Sequence, residues 1–250
     1  MAQFVVAGVD LSAEPERTAV AVLRASAHIQ LVDLQLGADN DLVIALTRDA
    51  EKIGVDCAFG WPRDFVEFVS SQQSGNPIDR SRGDVGIAWR RRLAYRDTDR
   101  EVLRLTGKQP LSVATDKLGL VAMRCAVLLE DWARTGRSVT RDGSGALVEV
   151  YPGAALKVWG MATSRYKVDA APLTHLVDEL LRQLPLDLGP HELRVRTSHD
   201  SFDAVIAALL ALASRRGQCV PIPAEFAAAA RAEGWIAIPP PLMQLVPVSP

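Results

Sequence analysis

Apolar positions recur along the chain in two rhythms. Residues 3–9 (QFVVAGV) are a continuous apolar run with β-branched members, which predicts a strand buried on both faces and ending on Asp10. Residues 18–23 and 28–34 are two further strand-like runs separated by a tight region at Ala25 and Ser26, so the first third of the chain predicts an antiparallel meander. Asn40 or Asp41 then supplies an N-cap for a helix reaching about residue 50. Residues 52–55 (KIGV) predict a fourth strand, which again ends on an aspartate, Asp56. Because a helix separates it from the meander, that strand is expected to run parallel to a meander strand, with the first as its natural partner.

Helical spacing governs most of the rest. Residues 118–133, 172–184 and 201–214 read as amphipathic or buried helices, and the last (SFDAVIAALLALAS) has alanines at 204, 207, 208 and 211 that permit close approach to a sheet. Residues 146–151 (ALVEVY) predict a fifth strand. From residue 58 to 117 the pattern weakens into Pro, Gly, Arg and Asp, with helices expected from about residue 65 and over 88–105; residues 62–117 are therefore expected to form a helical insertion. Residues 236–250 are rich in proline and cannot be regular throughout. The order β-β-β-α-β-α-β-α predicts one α/β domain over residues 1–250, with a five-stranded mixed sheet flanked by helices.

Composition narrows the class. With 250 residues, 48% of them hydrophobic, the chain can bury one substantial core, which argues against disorder. The first ten residues carry no basic leader and no apolar run approaches the roughly 20 residues of a membrane helix, so a cytoplasmic protein is expected. Cys57, Cys125 and Cys219 stand far apart, which suggests reduced core residues and neither a disulfide framework nor a zinc knuckle. The formal net charge of −2 hides an uneven distribution: residues 80–108 hold nine basic and four acidic side chains, leaving the rest of the chain acidic. That stretch predicts a local patch for a polyanion, or else a solvated arginine-rich helix.

The candidate chemistry lies in the acids. Gly8-Val9-Asp10 recurs as Gly54-Val55-Asp56, each at the end of a predicted buried strand. On parallel neighbours about 4.8 Å apart, the two carboxylates would lie side by side and repel unless they share a proton or hold a divalent cation such as Mg²⁺. The competing account is that each Asp merely opens the loop after its strand. Glu149 interrupts an apolar strand, and Asp203 starts a helix whose remaining face is Ala, Val, Ile and Leu; an acid in either setting needs a partner. Asp200 is a candidate N-cap or a member of the same acid group, with Asp203 at N3 in the first case. His199 is placed for proton transfer or for a surface or capping role.

These residues fall in segments that resemble the predicted nucleases of the domain of unknown function 429 family, members of the ribonuclease-H-like superfamily that includes RuvC-type resolvases. The matching pieces are GVDLS at 8–12, GVDCAFGWP at 54–62, YRDTDREV at 95–102, VEVYPGAALKVWG at 148–160 with RYK at 165–167, and SFDAVIAALLA at 201–211, which together span most of the chain. The resemblance implies a ribonuclease-H-like fold and an acidic site for Mg²⁺ or Mn²⁺ made by Asp10, Asp56, Glu149 and Asp203. It marks Arg96, Asp99 and Lys167 as motif positions, taken here with Arg90 as candidate substrate contacts. RuvC-type enzymes often carry glutamate where this chain has Asp56, which departs from their metal geometry. The activity implied is hydrolysis of phosphodiester bonds in DNA or RNA, with arginines of the 90–100 stretch neutralising phosphate and Trp89 or Tyr95 stacking on a base. The rival classes are a phosphotransferase of the actin and sugar-kinase type, whose phosphate loops need glycine where Asp10 is followed by Leu-Ser-Ala-Glu-Pro, and a non-catalytic nucleic-acid-binding protein of the same fold.

Overall fold

The computed structural model describes residues 3–76, 86–114 and 116–245; Arg80 and Arg82 of the basic stretch and the end of the proline-rich tail, including Pro247 and Pro250, lie outside the described residues. The chain is α/β. Its strands are β1 (Phe4–Asp10), β2 (Ala19–Ala25), β3 (Ile29–Leu36), β4 (Lys52–Asp56), β5 (Leu147–Glu149) and β6 (Leu186–Asp187), ordered β5-β4-β1-β2-β3-β6 in one mixed sheet. The meander β1-β2-β3 is antiparallel, β4 is parallel to β1, and β5 is parallel to β4, as the spacing of elements predicts. The sheet has six strands where five are expected. The extra one, β6, is a two-residue run pairing Ile29 with Leu186 and Gln30 with Asp187, too short to leave a periodic signal.

The helices are α1 (Asn40–Leu46), α2 (Arg63–Gln73), α3 (Ile87–Ala94), α4 (Asp97–Thr106), α5 (Asp116–Arg134), α6 (Pro152–Val158), α7 (Ala170–Gln183), α8 (Glu192–Thr197), α9 (His199–Arg215) and α10 (Ala227–Glu233). The helix expected over residues 88–105 is two helices, because Tyr95 is extended and Arg96 serves as the N-cap of α4, its backbone N–H donating to Asp99 Oδ2 at 2.9 Å. Asp39, one residue ahead of the expected cap, accepts from the Leu42 N–H at 2.9 Å and starts α1. Helices α6, α8 and α10 have six or seven residues each and were not anticipated by the periodicity. No helix among the described residues is long and apolar enough to cross a membrane.

Two cores sandwich the sheet. On one face, α6, α7, α8 and α9 bury Leu156, Leu176, Val195 and Phe202 against Val6, Ala21 and Leu23. On the other, α1 and α5 bury Val43, Cys125, Leu128 and Trp132 against Ala7, Val9, Ile53 and Val55. Helix α9 is buried continuously from Ser201 to Ala213. It lies so close to the sheet that a Cβ on Gly8 would stand 2.1 Å from Ala208 N and 2.2 Å from Ala204 O, and one on Gly54 would stand 2.3 Å from Ala207 O. The two glycines and the small side chains of α9 are therefore one device: each removes the atoms that would hold backbone away from backbone. Helices α2 and α3 are more peripheral, with Leu93 as their only buried side chain. The segment after α10 is not a loose tail where it is described: Trp235 to Ile238 is buried, Ile236 bridges Glu149 in parallel, and Ala237 N–H donates to Glu149 O at 2.9 Å.

Candidate functional site

Side chains alternate along a strand, so within each Gly-Val-Asp the glycine and the aspartate share a face while the valine takes the other. Val9 and Val55 enter the core under α5, and Gly8 and Gly54 face α9. Asp10 and Asp56 are thereby set on the α9 side, and the parallel register places Asp10 directly beside Asp56, as Gly8 lies beside Gly54. Asp203 comes to the same end because α9 crosses Gly8 at Ala204, one residue further on. Neither Asp10 nor Asp56 has a hydrogen-bond or ion-pair partner among the described residues. Burial pushes the Asp10 carboxyl well above its ordinary range, with the negative charges of Asp203 and Asp56 adding to the effect. Burial likewise pushes Asp56 up to about 7, with Lys167 opposing and Asp203 and Glu149 reinforcing the rise.

Asp203 is fully buried and is met by the 165–167 turn. The Tyr166 hydroxyl lies 2.9 and 3.2 Å from its two oxygens and donates to the carboxylate, while Lys167 Nζ pairs with Oδ2 at 2.6 Å. In the turn that brings these consecutive residues to one carboxylate, Arg165 adopts a left-handed backbone, φ 62°, a conformation disfavoured for a residue with a side chain. Burial works against the Lys167 charge, but Asp203, Asp10 and Asp56 outweigh it and hold the ammonium above its ordinary range. Burial raises Asp203 too, against the stabilising effect of Lys167. Helix α9 begins two residues before the expected start: Ser198 is the N-cap, its Oγ accepting from the Ser201 N–H at 3.2 Å. Asp200 is thus not the cap but pairs with Arg17 at 3.4 Å, while His199 Nδ1 lies 3.0 Å from the same oxygen without making a hydrogen bond.

Glu149 occupies a different arrangement. Its Oε1 and Oε2 accept from Arg96 Nη2 at 2.7 Å and Nη1 at 2.9 Å, and Oε2 also accepts from the Phe59 N–H at 3.0 Å. The same guanidinium reaches Asp99 Oδ1 at 2.9 Å and Oδ2 at 3.3 Å, and Nη1 donates to the Glu233 carbonyl at 3.1 Å. Arg96, Asp99 and Glu149 are all buried, so this is an ionic hub joining α4, β5 and the end of α10. Glu149 and Asp99 hold Arg96 firmly charged against the cost of its burial. Gly234, φ 94°, leaves room for the hub, since a Cβ there would stand 2.6 Å from Glu149 Oε2. Through Phe59 the hub also ties down the loop that follows Asp56.

A cavity of about 540 Å³ opens over these groups, lined by Asp10, Asp56, Lys108, Tyr151, Lys167 and the apolar Leu111 and Val121 among others. Arg90 does not line it; with Arg91 and Arg92 it stands exposed on α3, without an ion-pair partner among the described residues. Trp89 is engaged edge-on by Phe68, ring centroids 5.5 Å apart. Sequence reasoning missed Tyr151 and Tyr166, whereas Lys108 is the last residue of the basic stretch expected to meet a polyanion. Tyr151 is two residues beyond Glu149 and therefore on the same side of the strand end, a signal present in the VEVY alternation. Tyr166 stands in an irregular segment where no period points to a site. Among the described residues, no three His, Cys, Asp or Glu side chains stand together in a cluster ready-formed for a metal ion.

The structure thus defines an α/β protein with an acidic site at the carboxyl ends of adjacent parallel strands. The chain belongs to the family described as Protein of unknown function (DUF429), whose model matches residues 8–228. No curated protein and no solved structure gives a significant match to it.

Proposed function

We propose that this chain is a divalent-cation-dependent phosphodiesterase, a nuclease in the broad sense, built on a ribonuclease-H-like fold. The observation that carries the reading is the in-register pair Asp10 and Asp56, joined by Asp203, with no cation paired to either of the first two. Asp10 and Asp56, raised by burial and further by the charge of neighbouring acids, are a poor structural device, and an oxygen-rich set of this kind suits Mg²⁺ or Mn²⁺, which take a few carboxylates and keep several waters. The oxygen donors suit the ion in kind, with Asp10 and Asp56 as the residues that would hold it and Asp203, held by Lys167 and Tyr166, as the third acid beside them. Glu149 supports the set from behind, since Arg96 and the Phe59 N–H already take up both of its oxygens. The meander with β4 and β5 parallel to β1 is in keeping with the ribonuclease-H-like assignment.

When bound, the ion supplies a polarised phosphoryl oxygen and an activated water. The chain's own groups do the rest. Lys167, half exposed beside Asp203, offers positive charge to a phosphate oxygen in the cavity, and Tyr166 keeps Asp203 oriented. The test is hydrolysis of methyl p-nitrophenyl phosphate with Mn²⁺ or Mg²⁺, alongside calorimetric titration of Mn²⁺ into the metal-free protein. Metal-dependent release of nitrophenol that is lost in Asp10→Asn is expected. Absence of both turnover and Mn²⁺ binding would overturn the proposal.

A further inference from the structure

The cavity over Asp10 and Asp56 differs from a groove that tracks a nucleic-acid strand. A strand is held by roughly one cation per phosphate along an extended surface. Among the described residues four cationic side chains line this cavity: Arg96, Lys108, Arg165 and Lys167. Arg96 is spent on Glu149 and Asp99, Arg165 on Asp169 at 2.5 Å, and Lys167 on Asp203. Lys108 alone has no ion-pair partner among the described residues. That is positive charge for one phosphate group, with Lys167 as its neighbour, and not for a run of them. The freely exposed arginines, Arg90 to Arg92, are on α3 and contribute nothing to the lining.

The remaining wall is apolar. Leu111, Leu118, Val121, Val168 and the Tyr151 ring face the cavity from four separate segments, and Leu111 and Val168 remain 52% and 76% exposed at their positions. Large apolar side chains left open around a concave site mark a place where a flat or apolar ligand group is covered. The volume of about 540 Å³ falls within the roughly 300–1,000 Å³ of small-molecule sites. Carboxylates on the floor, one free cation at the side and an apolar wall match a single phosphate bearing a base-sized body.

Resting on the phosphodiesterase reading of the same site, we propose that the substrate is one nucleotide-sized phosphoester at a time: a nucleotide ester free in solution, or the unstacked terminal nucleotide of a strand. The charge and shape of the wall among the described residues suit neither a duplex nor the interior of a continuous strand.

The experiment uses the full chain with Mn²⁺. Turnover of the p-nitrophenyl ester of thymidine 5′-monophosphate is compared with that of methyl p-nitrophenyl phosphate, which has the same leaving group and no base. The nucleotide ester should be favoured in kcat/KM by at least about tenfold, within what base contact with side chains supplies. Leu111→Ala, which trims the apolar wall without adding charge beside the phosphate, should shrink the preference by raising KM for the nucleotide ester several-fold more than for the methyl ester. Two further substrates are a linear and a covalently closed circular single strand. Stepwise shortening of the linear strand identifies the strand terminus as the source, and hydrolysis of the free ester alone identifies the free nucleotide; either result supports the proposal if the circle is left intact. Equal kcat/KM for the two esters, or cutting of the circle as fast as the linear strand, overturns it and leaves the phosphodiesterase reading standing. If neither ester is turned over, that reading fails, and calorimetry with thymidine 5′-monophosphate and inorganic phosphate decides the pocket: nucleotide binding weakened in Leu111→Ala with phosphate binding unaltered upholds it, and no binding of the nucleotide to the wild type overturns it.

Discussion

Arg96→Met removes one guanidinium and leaves Asp99 and Glu149, both buried, without the cation that faces them. Five hydrogen bonds disappear with it, two to Glu149, two to Asp99 and one to the Glu233 carbonyl. Removing one partner of a buried ion pair costs about 3–5 kcal/mol, and abandoning two acids puts this change at the upper end. That is comparable with much of the total stability of a folded domain, and at roughly 2–4 °C per kcal/mol for a chain of this size it corresponds to about 10–20 °C in Tm. Glu149→Gln is the informative companion. It keeps the Arg96–Asp99 pair and an acceptor for the Phe59 N–H, so it should cost only about 1–3 kcal/mol, the value of hydrogen bonds to a charged group. Arg96→Lys should fall between them, because a single ammonium cannot grip both carboxylates as the planar fork does. Urea unfolding followed by tryptophan fluorescence in EDTA gives all three values. In Arg96→Met the orphaned acids take up protons in the folded state, so its deficit against wild type should shrink as the pH is lowered toward 5. A loss below about 1 kcal/mol for Arg96→Met, or an equal loss for Glu149→Gln, would refute the hub as the organiser of this region.

Asp10→Asn should melt no lower than wild type in EDTA, since it relieves a carboxylate crowded by Asp203 and Asp56, while its Mn²⁺ affinity by calorimetry drops at least about tenfold; wild-type affinity in the folded mutant contradicts the proposed ligand set. The folded protein holds the Asp56 proton up to about pH 7 against an ordinary value of 3.8, so between those values it binds more protons than the unfolded chain. Metal-free stability attributable to Asp56 is therefore complete below about pH 4 and is lost as the pH rises through 7, by up to about 4 kcal/mol, and Asp56→Asn should flatten that slope; a denaturation series from pH 4 to 8 with identical slopes in both proteins disproves it. Gly8→Ala should abolish folding or cost more than about 4 kcal/mol, because its Cβ meets backbone and not a movable side chain, whereas Gly75→Ala, with nothing within 4 Å but a φ of 71°, should cost only about 1 kcal/mol; thermal melts that rank them the other way remove the close-packing account of α9.

The meander, the parallel fourth and fifth strands and the long helices were legible because each presents several turns or pleats of one period to a core. The six-residue α8 and the two-residue β6 offer too few positions to establish a period, and α6 begins at a proline that reads equally well as a turn. The single helix expected over residues 88–105 failed for a related reason: its apolar spacing continues through Arg96, and the break is made by a cap whose side chain looks like that of any surface arginine. The pairing of Asp10 with Asp56 could be anticipated because the repeated tripeptide and the crossover rule together fix a register. The role of the glycines in that tripeptide could not, since it depends on the height of α9 above the sheet.

The two kinds of acid in this region show where sequence reasoning stops. An isolated carboxylate in an apolar strand and one at a strand end raise the same demand for a compensating charge, and the sequence states the demand without naming what meets it. For Glu149 the answer is Arg96, 53 positions away and itself fixed by Asp99, three residues further along its own helix. For Asp203 it is Lys167, delivered by a turn held in a left-handed conformation at Arg165. Asp10 and Asp56 differ because the register that makes them neighbours also turns them toward an open cavity, and among the described residues no side chain pairs with them. A charge satisfied from within the chain belongs to the architecture. A pair of charges held together and left to the cavity is the part of this molecule whose stability depends on what enters, and the cost of keeping it so is the physical ground for assigning the chemistry there.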